Sequence, residues 1–242
     1  MLQNIKGFYG NTLAASDGDI GCVKDFYFDD KTWVVRYLVA DTASWLSGRL
    51  VLVSPHAFGR YDRDGKTLHV GLTRKQIENS PPIDSHKPVS RQYEIDYYRY
   101  YGWPAYWDGS ALWGRGSLPV LMPPSADEVE TDLRYHHRKD KHLQSTCAIA
   151  GYQIQTVDGT IGHVSDLMVD DKSWAIRDLS VETGHWYRGK EIFISPGRID
   201  RISYEDSKVF VNLTKADIQG TRDNELAKAG AGSRRADNNL PD

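Results

Sequence analysis

"DDKTWVVR" at Asp29–Arg36 and "DDKSWAIR" at Asp170–Arg177 are two near-copies of one eight-residue stretch. They lie 141 residues apart, and the same offset aligns the chain with itself without a gap from residues 2 and 143 to residues 77 and 218. A chance match ends within a few residues, whereas a duplicated domain keeps a constant offset. The sequence therefore predicts one domain present in two tandem copies.

The chain has 242 residues, of which 40% are hydrophobic, and a net charge of −3, which is the composition of an ordinary globular protein. This charge offers no general attraction for nucleic acid or for an anionic membrane. No apolar run is long enough for a membrane helix, and the first residues lack the pattern of a secretion signal. We expect a cytoplasmic protein without a transmembrane segment. Cys22 and Cys147 occupy non-equivalent positions of the two copies, which favours free thiols over a disulfide.

Each copy has the pattern of short strands separated by turns. Asp17-Gly18 and Asp158-Gly159 suit tight hairpin turns, because glycine accepts a positive φ. The "DDKTW" turn follows in copy one, and β-branched and aromatic residues fill the segments on both sides of it. The fold class we predict is mainly β, with two small antiparallel barrels of five or six strands in tandem. A closed barrel removes exposed strand edges.

Two repeated ion pairs follow from a simple hairpin register. If Phe28 faces Trp33 across the turn, Asp25 faces Arg36, and the equivalent pair in copy two is Asp166 with Arg177. A carboxylate and a guanidinium on a largely apolar face would fix the register of the hairpin. We predict these four residues to form structural ion pairs rather than a catalytic acid with its modulator.

The succession DG-x-IG-x-V-x-D, followed by a strand that ends before Ser-Pro, resembles the PRC-barrel domain in both copies. The resemblance implies a small β-barrel of the kind found in the photosynthetic reaction-centre H subunit and in the C-terminal domain of a ribosome maturation factor. In both settings the barrel is a docking module rather than an enzyme. The chain lacks the membrane helix of the first and the N-terminal domain of the second, so neither specific role is carried over.

The predicted domains follow from the repeat. Copy one is residues 1–79 and copy two is residues 143–220. A linker with an aromatic segment and short helices fills residues 80–142, and a capping box favours a helix over residues 126–139. Residues 221–242 are poor in large apolar side chains, which is typical of a flexible tail.

Aromatic residues in the linker and in one repeated loop are the candidates for partner binding. The linker reads "RQYEIDYYRYYGWPAYWDG", and such a cluster serves either as packing between linker and barrels or as a partner surface. The repeated loop places a tryptophan near a cation, either as an anchor or as a lid over the barrel. The candidate residues are Trp45, Arg49, Trp186, Lys190, Tyr97, Tyr101, Trp103 and Trp107.

Catalytic and metal-binding patterns are missing from the sequence. No phosphate-binding glycine loop, nucleophile elbow or zinc-protease motif is present. His136 and Asp140 are spaced for one face of a helix but have no evident third ligand. We expect no enzyme activity, no cofactor and no metal. The sequence favours a non-catalytic scaffold for an unknown protein partner, with self-association included. The alternative is an RNA- or ribosome-associated assembly factor, although the low content of cations near the aromatic segment disfavours nucleic acid.

Overall fold

The computed structural model describes residues 1–42, 46, 49–81, 91–107, 143–184 and 189–219. The predicted helix 126–139, the predicted tail 221–242 and both loop tryptophans, Trp45 and Trp186, lie outside the described residues. Within these residues, no helix has the length and apolarity that crossing a bilayer requires.

The fold is mainly β and contains two sheets. In copy one the strands are β1 (Leu2–Asn4), β2 (Thr12–Ala15), β3 (Gly18–Asp29), β4 (Val34–Asp41), β5 (Leu50–Val53), β6 (Phe58–Asp62) and β7 (Thr67–Val70). In copy two they are β8 (Leu143–Ser145), β9 (Gln153–Thr156), β10 (Gly159–Asp170), β11 (Ile176–Thr183), β12 (Glu191–Ile194), β13 (Ile199–Ser203) and β14 (Lys208–Val211).

Helices are short and few among the described residues. The α-helices are α1 (Arg74–Glu78), α2 (Arg91–Tyr101) and α3 (Thr146–Ile149), with a further helical turn at residues 215–219. The 3-10 helices are Ile5–Phe8, Pro55–Ala57 and Pro196–Arg198.

Both sheets have the same strand order. Sheet one runs β5-β4-β3-β2-β7-β6, and sheet two runs β12-β11-β10-β9-β14-β13. The pairs β2–β7 and β9–β14 are parallel, which corrects the prediction of purely antiparallel sheets. Apolar alternation has the same period in both kinds of pairing, so the sequence pattern carries no information on strand direction. Among the described residues no pairing joins the two ends of either path.

Contacts divide the chain into two compact units. The first contains Met1–Ile149 and Asp166–Arg177, and the second contains Ala150–Ser165 and Asp178–Asp242. The first unit thus combines copy one with the tip of the β10–β11 hairpin of copy two.

The first strand of each copy pairs with the long hairpin strand of the other copy. Strand β1 pairs with β10, where Gln3 lies opposite Val169. Strand β8 pairs with β3, where Gln144 lies opposite Phe28. The exchange is reciprocal, because Gln3 and Gln144 are equivalent positions of the repeat, as are Phe28 and Val169.

The repeated stretch joins the two hairpin tips to each other. Val34 and Ala175 form an antiparallel bridge. The Trp33 carbonyl accepts a hydrogen bond from the Ile176 amide at 2.7 Å, and the Trp174 carbonyl accepts one from the Val35 amide at 2.8 Å. Both tryptophans have φ of 56°, a left-handed conformation that is unusual for a large side chain. This strained turn is tolerated where it directs each carbonyl to the opposite hairpin.

Trp174 also fills the apolar core of the first unit. Its ring centroid lies 4.6 Å from that of Phe58, 5.6 Å from Phe8 and 5.8 Å from Phe26. Large buried aromatic rings contribute strongly to core stability. The hairpin tip of copy two is therefore an integral part of the core around copy one.

Asp25 binds the exchanged segment of copy two rather than Arg36. Its carboxylate accepts hydrogen bonds from the Ser145 hydroxyl at 2.5 Å, the Thr146 hydroxyl at 3.0 Å and the Cys147 amide at 3.0 Å. The last donor belongs to the first turn of α3, where amides have no partner within the helix. Asp25 thus acts as a cap for α3.

Asp166 of copy two makes the equivalent bond to copy one. Its carboxylate accepts from the Lys6 amide at 3.2 Å, in the 3-10 helix that occupies the position of α3 in copy one. It also accepts from the amide of the following residue, Leu167. The two aspartates therefore cap reciprocal exchanged segments.

The predicted pairs Asp25 with Arg36 and Asp166 with Arg177 are wrong. Register places Asp25 opposite Val39 for two reasons. The four-residue turn begins one residue later than predicted, so that Asp29 pairs with Val34, and a bulge between Tyr27 and Phe28 shifts the β3–β4 ladder further. The arginines instead approach the first aspartate of each turn: Arg36 lies 3.8 Å from Asp29 and Arg177 lies 3.6 Å from Asp170.

Candidate interaction surface

Helix α2 covers one face of sheet one. Every residue from Val34 to Ala40 in β4 is buried. The Tyr97 hydroxyl donates to the Leu52 carbonyl at 3.0 Å and accepts from the Ser54 amide at 3.1 Å. A strand that is buried on both faces shows an apolar run instead of alternation, and β4 has such a run from Val34 to Ala40, interrupted only by Arg36.

A buried polar network fixes this cover to the sheet. The Glu94 carboxylate accepts from the Tyr37 hydroxyl at 3.0 Å and from the Tyr106 hydroxyl at 2.6 Å. The Arg36 guanidinium lies 3.9 Å from the centre of the Tyr106 ring, a cation–π contact. Burial, followed by the nearby Glu94 charge, raises the pKa of Tyr37 well above its usual value. The phenol therefore stays protonated and remains a donor to the carboxylate.

His56 lies beside this network and is held neutral. Its ring stacks on Trp103 at 5.7 Å, and its Nδ1 lies 3.1 Å from the Ser54 hydroxyl. Burial, together with the Arg36 charge, lowers the pKa of His56 to about 4. Both effects disfavour the protonated ring. The arrangement has the features of a packed interface within the chain.

The linker candidates divide into buried and partly exposed residues. Tyr97 and Trp103 are buried in the first unit. Tyr97 packs against sheet one and Trp103 stacks on His56, so both rings serve packing within the first unit, which does not support their contact with a partner. Tyr101 and Trp107 are half-buried; Tyr101 stacks on Trp103 at 4.5 Å. For Tyr101 and Trp107, partner contact stays a prediction.

The two loop cations differ in their surroundings. Arg49 donates from Nη1 to the Glu78 carbonyl at 2.7 Å and from Nη2 to the Ser80 carbonyl, which ties the start of β5 to the end of α1. Lys190 has an exposed side chain, and its carbonyl accepts from Thr183. Arg49 thus has a structural role, while partner contact by Lys190 stays a prediction.

Sheet two presents an exposed face at its β11–β12 end. We call the exposed side chains His163, Glu182, Glu191 and Phe193 the sheet-two outer face. Glu182 lies directly opposite Glu191, and Phe193 follows Glu191 by two residues on the same side of β12. The His163 Nε2 lies 3.6 Å from a Glu182 carboxylate oxygen. Acidic groups therefore lie beside an apolar ring, on one side of it.

The equivalent positions of the two copies have opposite exposure. Phe193 is 58% exposed, whereas its equivalent Leu52 is 1% exposed beneath Tyr97. Similarly, the Arg177 side chain is 53% exposed and the Arg36 side chain is 2% exposed. Sequence reasoning missed Phe193, although the alternation of "EIFIS" places this phenylalanine on the same side as Glu191 and Ser195.

Metal-binding geometry is absent from the described part of the chain, where no group of three or more histidine, cysteine or carboxylate side chains is arranged to hold an ion. The expectation that the chain binds no metal and no cofactor stays a prediction.

Comparison with protein families finds one match. Residues 147–218, which cover most of copy two, match the model of the PRC-barrel domain. No curated protein matches the chain. The resemblance is therefore shown for copy two, in a chain whose fold is mainly β with two sheets of mixed strand direction.

Proposed function

We propose that the chain is a non-catalytic docking module that binds another protein through the sheet-two outer face. The observation that carries this proposal is the exposure of Phe193, at the position where copy one has Leu52 beneath an aromatic helix. In copy one, helix α2 packs on this side of the sheet, which supports the idea that the side accepts a packed segment. In copy two, we propose that a segment of another protein packs on the equivalent side.

Energetics favour Phe193 as the centre of such a contact. Burying a phenylalanine that is largely exposed contributes about 1.5–3 kcal/mol. Aromatic side chains at the centre of an interface, surrounded by polar groups, commonly dominate its binding energy. The carboxylates of Glu182 and Glu191 would supply a polar rim on one side of the ring.

The proposal also includes a more detailed assignment of the fold of the two copies. We take copy one as a second PRC-like domain and both sheets as barrel-like, with β12 left as an edge of sheet two. The constant 141-residue offset and the identical strand orders support this assignment. Docking through a soluble tandem module fits a cytoplasmic location, which is part of the same proposal.

The RNA-associated alternative is less well supported than protein docking. It rests on the resemblance to a ribosome maturation factor and on aromatic rings available for base stacking, but the rings of Tyr97, Tyr98, Trp103 and Tyr106 are buried. The carboxylates of the sheet-two outer face would repel phosphate groups.

Site-specific photo-crosslinking in cells tests the proposal. Phe193 is replaced by a photoreactive benzoylphenylalanine, and the matched control carries the same group at Val157, an exposed apolar residue elsewhere in the second unit. We expect a discrete protein adduct from position 193 that position 157 does not give. The same adducts from both positions, or adducts to RNA, would argue against protein docking at this face.

A further inference from the structure

Strand β12 is an open edge of sheet two. It ends the strand path and pairs with β11 through an antiparallel register from Leu179 with Ile194 to Glu182 with Glu191. Within the described residues, no strand pairs with its other side. An exposed edge presents backbone donors and acceptors that can add a further strand.

We propose that β12 binds an extended segment of a partner protein, added as an edge strand, with an arginine placed against Phe193. This inference rests on the proposed docking function and names the chemistry of the partner. Backbone pairing would provide affinity, and the side chains facing the sheet-two outer face would provide selectivity.

Charge indicates that the bound segment is basic. Glu182 and Glu191 face each other directly across the strands, and like charges in this position are destabilising. The Glu191 carboxylate accepts a hydrogen bond from the Ser180 hydroxyl, and Glu182 contacts His163. A guanidinium placed near both carboxylates would relieve their repulsion and form charge-assisted hydrogen bonds.

At the β13–β14 end of the same sheet, an arginine on one strand packs over a phenylalanine on the neighbouring strand. In the β13–β14 pair, Arg201 lies opposite Phe210, and its guanidinium carbon is 3.9 Å from the ring centre. The ring of Phe193 is instead 58% exposed. An arginine opposite Phe193 on an added strand would reproduce the Arg201 contact.

Strand geometry joins the two contacts in one ligand. Phe193 and Glu191 are two residues apart, so their side chains leave the same side of β12 about 7 Å from each other. An arginine that crosses the ring of Phe193 can extend its guanidinium over that distance to the carboxylate. A glutamate or aspartate at the same position of the added strand would be repelled by the carboxylates of Glu182 and Glu191.

Fluorescence anisotropy with labelled peptides tests this inference on the full chain. The probe is a peptide of about nine alternating threonine and valine residues with a central arginine. Its matched controls carry a central glutamate, or the arginine together with N-methylated backbone amides. We expect the arginine peptide to bind at least about tenfold more tightly than either control, with an affinity that falls as salt increases.

Variants locate the binding site. Phe193→Thr and Glu191→Gln should each weaken binding of the arginine peptide at least about fivefold, whereas Val157→Thr should leave it unchanged. Threonine favours strands, so the first variant keeps the edge strand, and a thermal melt verifies the fold. Failure of the arginine peptide to bind, or equal binding of the glutamate peptide, would overturn the inference. In that case, a specific adduct from position 193 would still support the docking function.

Discussion

Removing the hydroxyl of Tyr97 should weaken the packing of helix α2 on sheet one. In Tyr97→Phe, the Leu52 carbonyl loses a donor and the Ser54 amide loses an acceptor, both at buried positions. A buried polar group without a partner costs about 1–3 kcal/mol. Because two groups are affected, we expect the free energy of unfolding to fall by about 2–4 kcal/mol. For a chain of this size, the melting temperature should fall by about 4–16 °C.

Tyr100→Phe is the matched control. Its hydroxyl donates to the Gln76 carbonyl at 2.9 Å from an exposed position, where water can replace the lost donor. Urea unfolding, followed by tryptophan fluorescence and by circular dichroism, should show a loss below about 0.5 kcal/mol for this variant. If Tyr97→Phe were no less stable than Tyr100→Phe, the packing of α2 on sheet one would be contradicted.

Two further predictions concern the core of the first unit. The folded pKa of His56 is lowered to about 4 from 6.5, so the unfolded chain takes up a proton first as pH falls. The free energy of unfolding that neutral His56 contributes is fully present above pH 6.5 and is lost as pH falls toward 4. This contribution amounts to about 2 kcal/mol after discounting for partial solvent screening. The variant His56→Gln should lack this pH dependence in urea titrations. At Gly21, whose φ is +127°, an added Cβ would lie 1.9 Å from the Asp41 carbonyl oxygen. Gly21→Ala should therefore destabilise the protein by more than about 3 kcal/mol, whereas Gly7→Ala, with open space around it, should melt close to the wild type; equal melting temperatures would refute the close approach.

Local sequence signals predicted the local structure well. The Asp17-Gly18 and Asp158-Gly159 turns are confirmed, since Ala15 pairs with Gly18 and Thr156 pairs with Gly159. Such turns depend on the conformational freedom of one glycine and are legible in a few residues.

Exchange between the copies was not predictable from pattern. Because the two copies are near-duplicates, β1 has almost the same apolar alternation toward β3 of its own copy as toward β10 of the other copy. The choice depends on tertiary contacts such as the caps at Asp25 and Asp166. These contacts join residues more than a hundred positions apart.

The difference between the outer faces of the two sheets is legible in the strand sequences. Strand β4 is apolar from Val34 to Ala40 apart from Arg36, while β11 reads "IRDLSVET" with polar residues interspersed. The first pattern is typical of a strand covered on both faces, and the second of a strand with one open face. The identity of the cover was beyond the pattern, because it depends on contacts made by Glu94 and Tyr97.

Disulfide trapping of the first strand tests the reciprocal exchange most directly. In a background of Cys22→Ser and Cys147→Ser, cysteines at Asn4 and Met168 occupy directly opposite positions of β1 and β10, within the range that a disulfide spans. The control pair, Asn4→Cys with Tyr27→Cys, tests pairing of β1 within its own copy, since Tyr27 is the equivalent of Met168. Peptide mass spectrometry of the oxidised monomer should show the disulfide between positions 4 and 168. A disulfide between positions 4 and 27 instead would contradict the exchange.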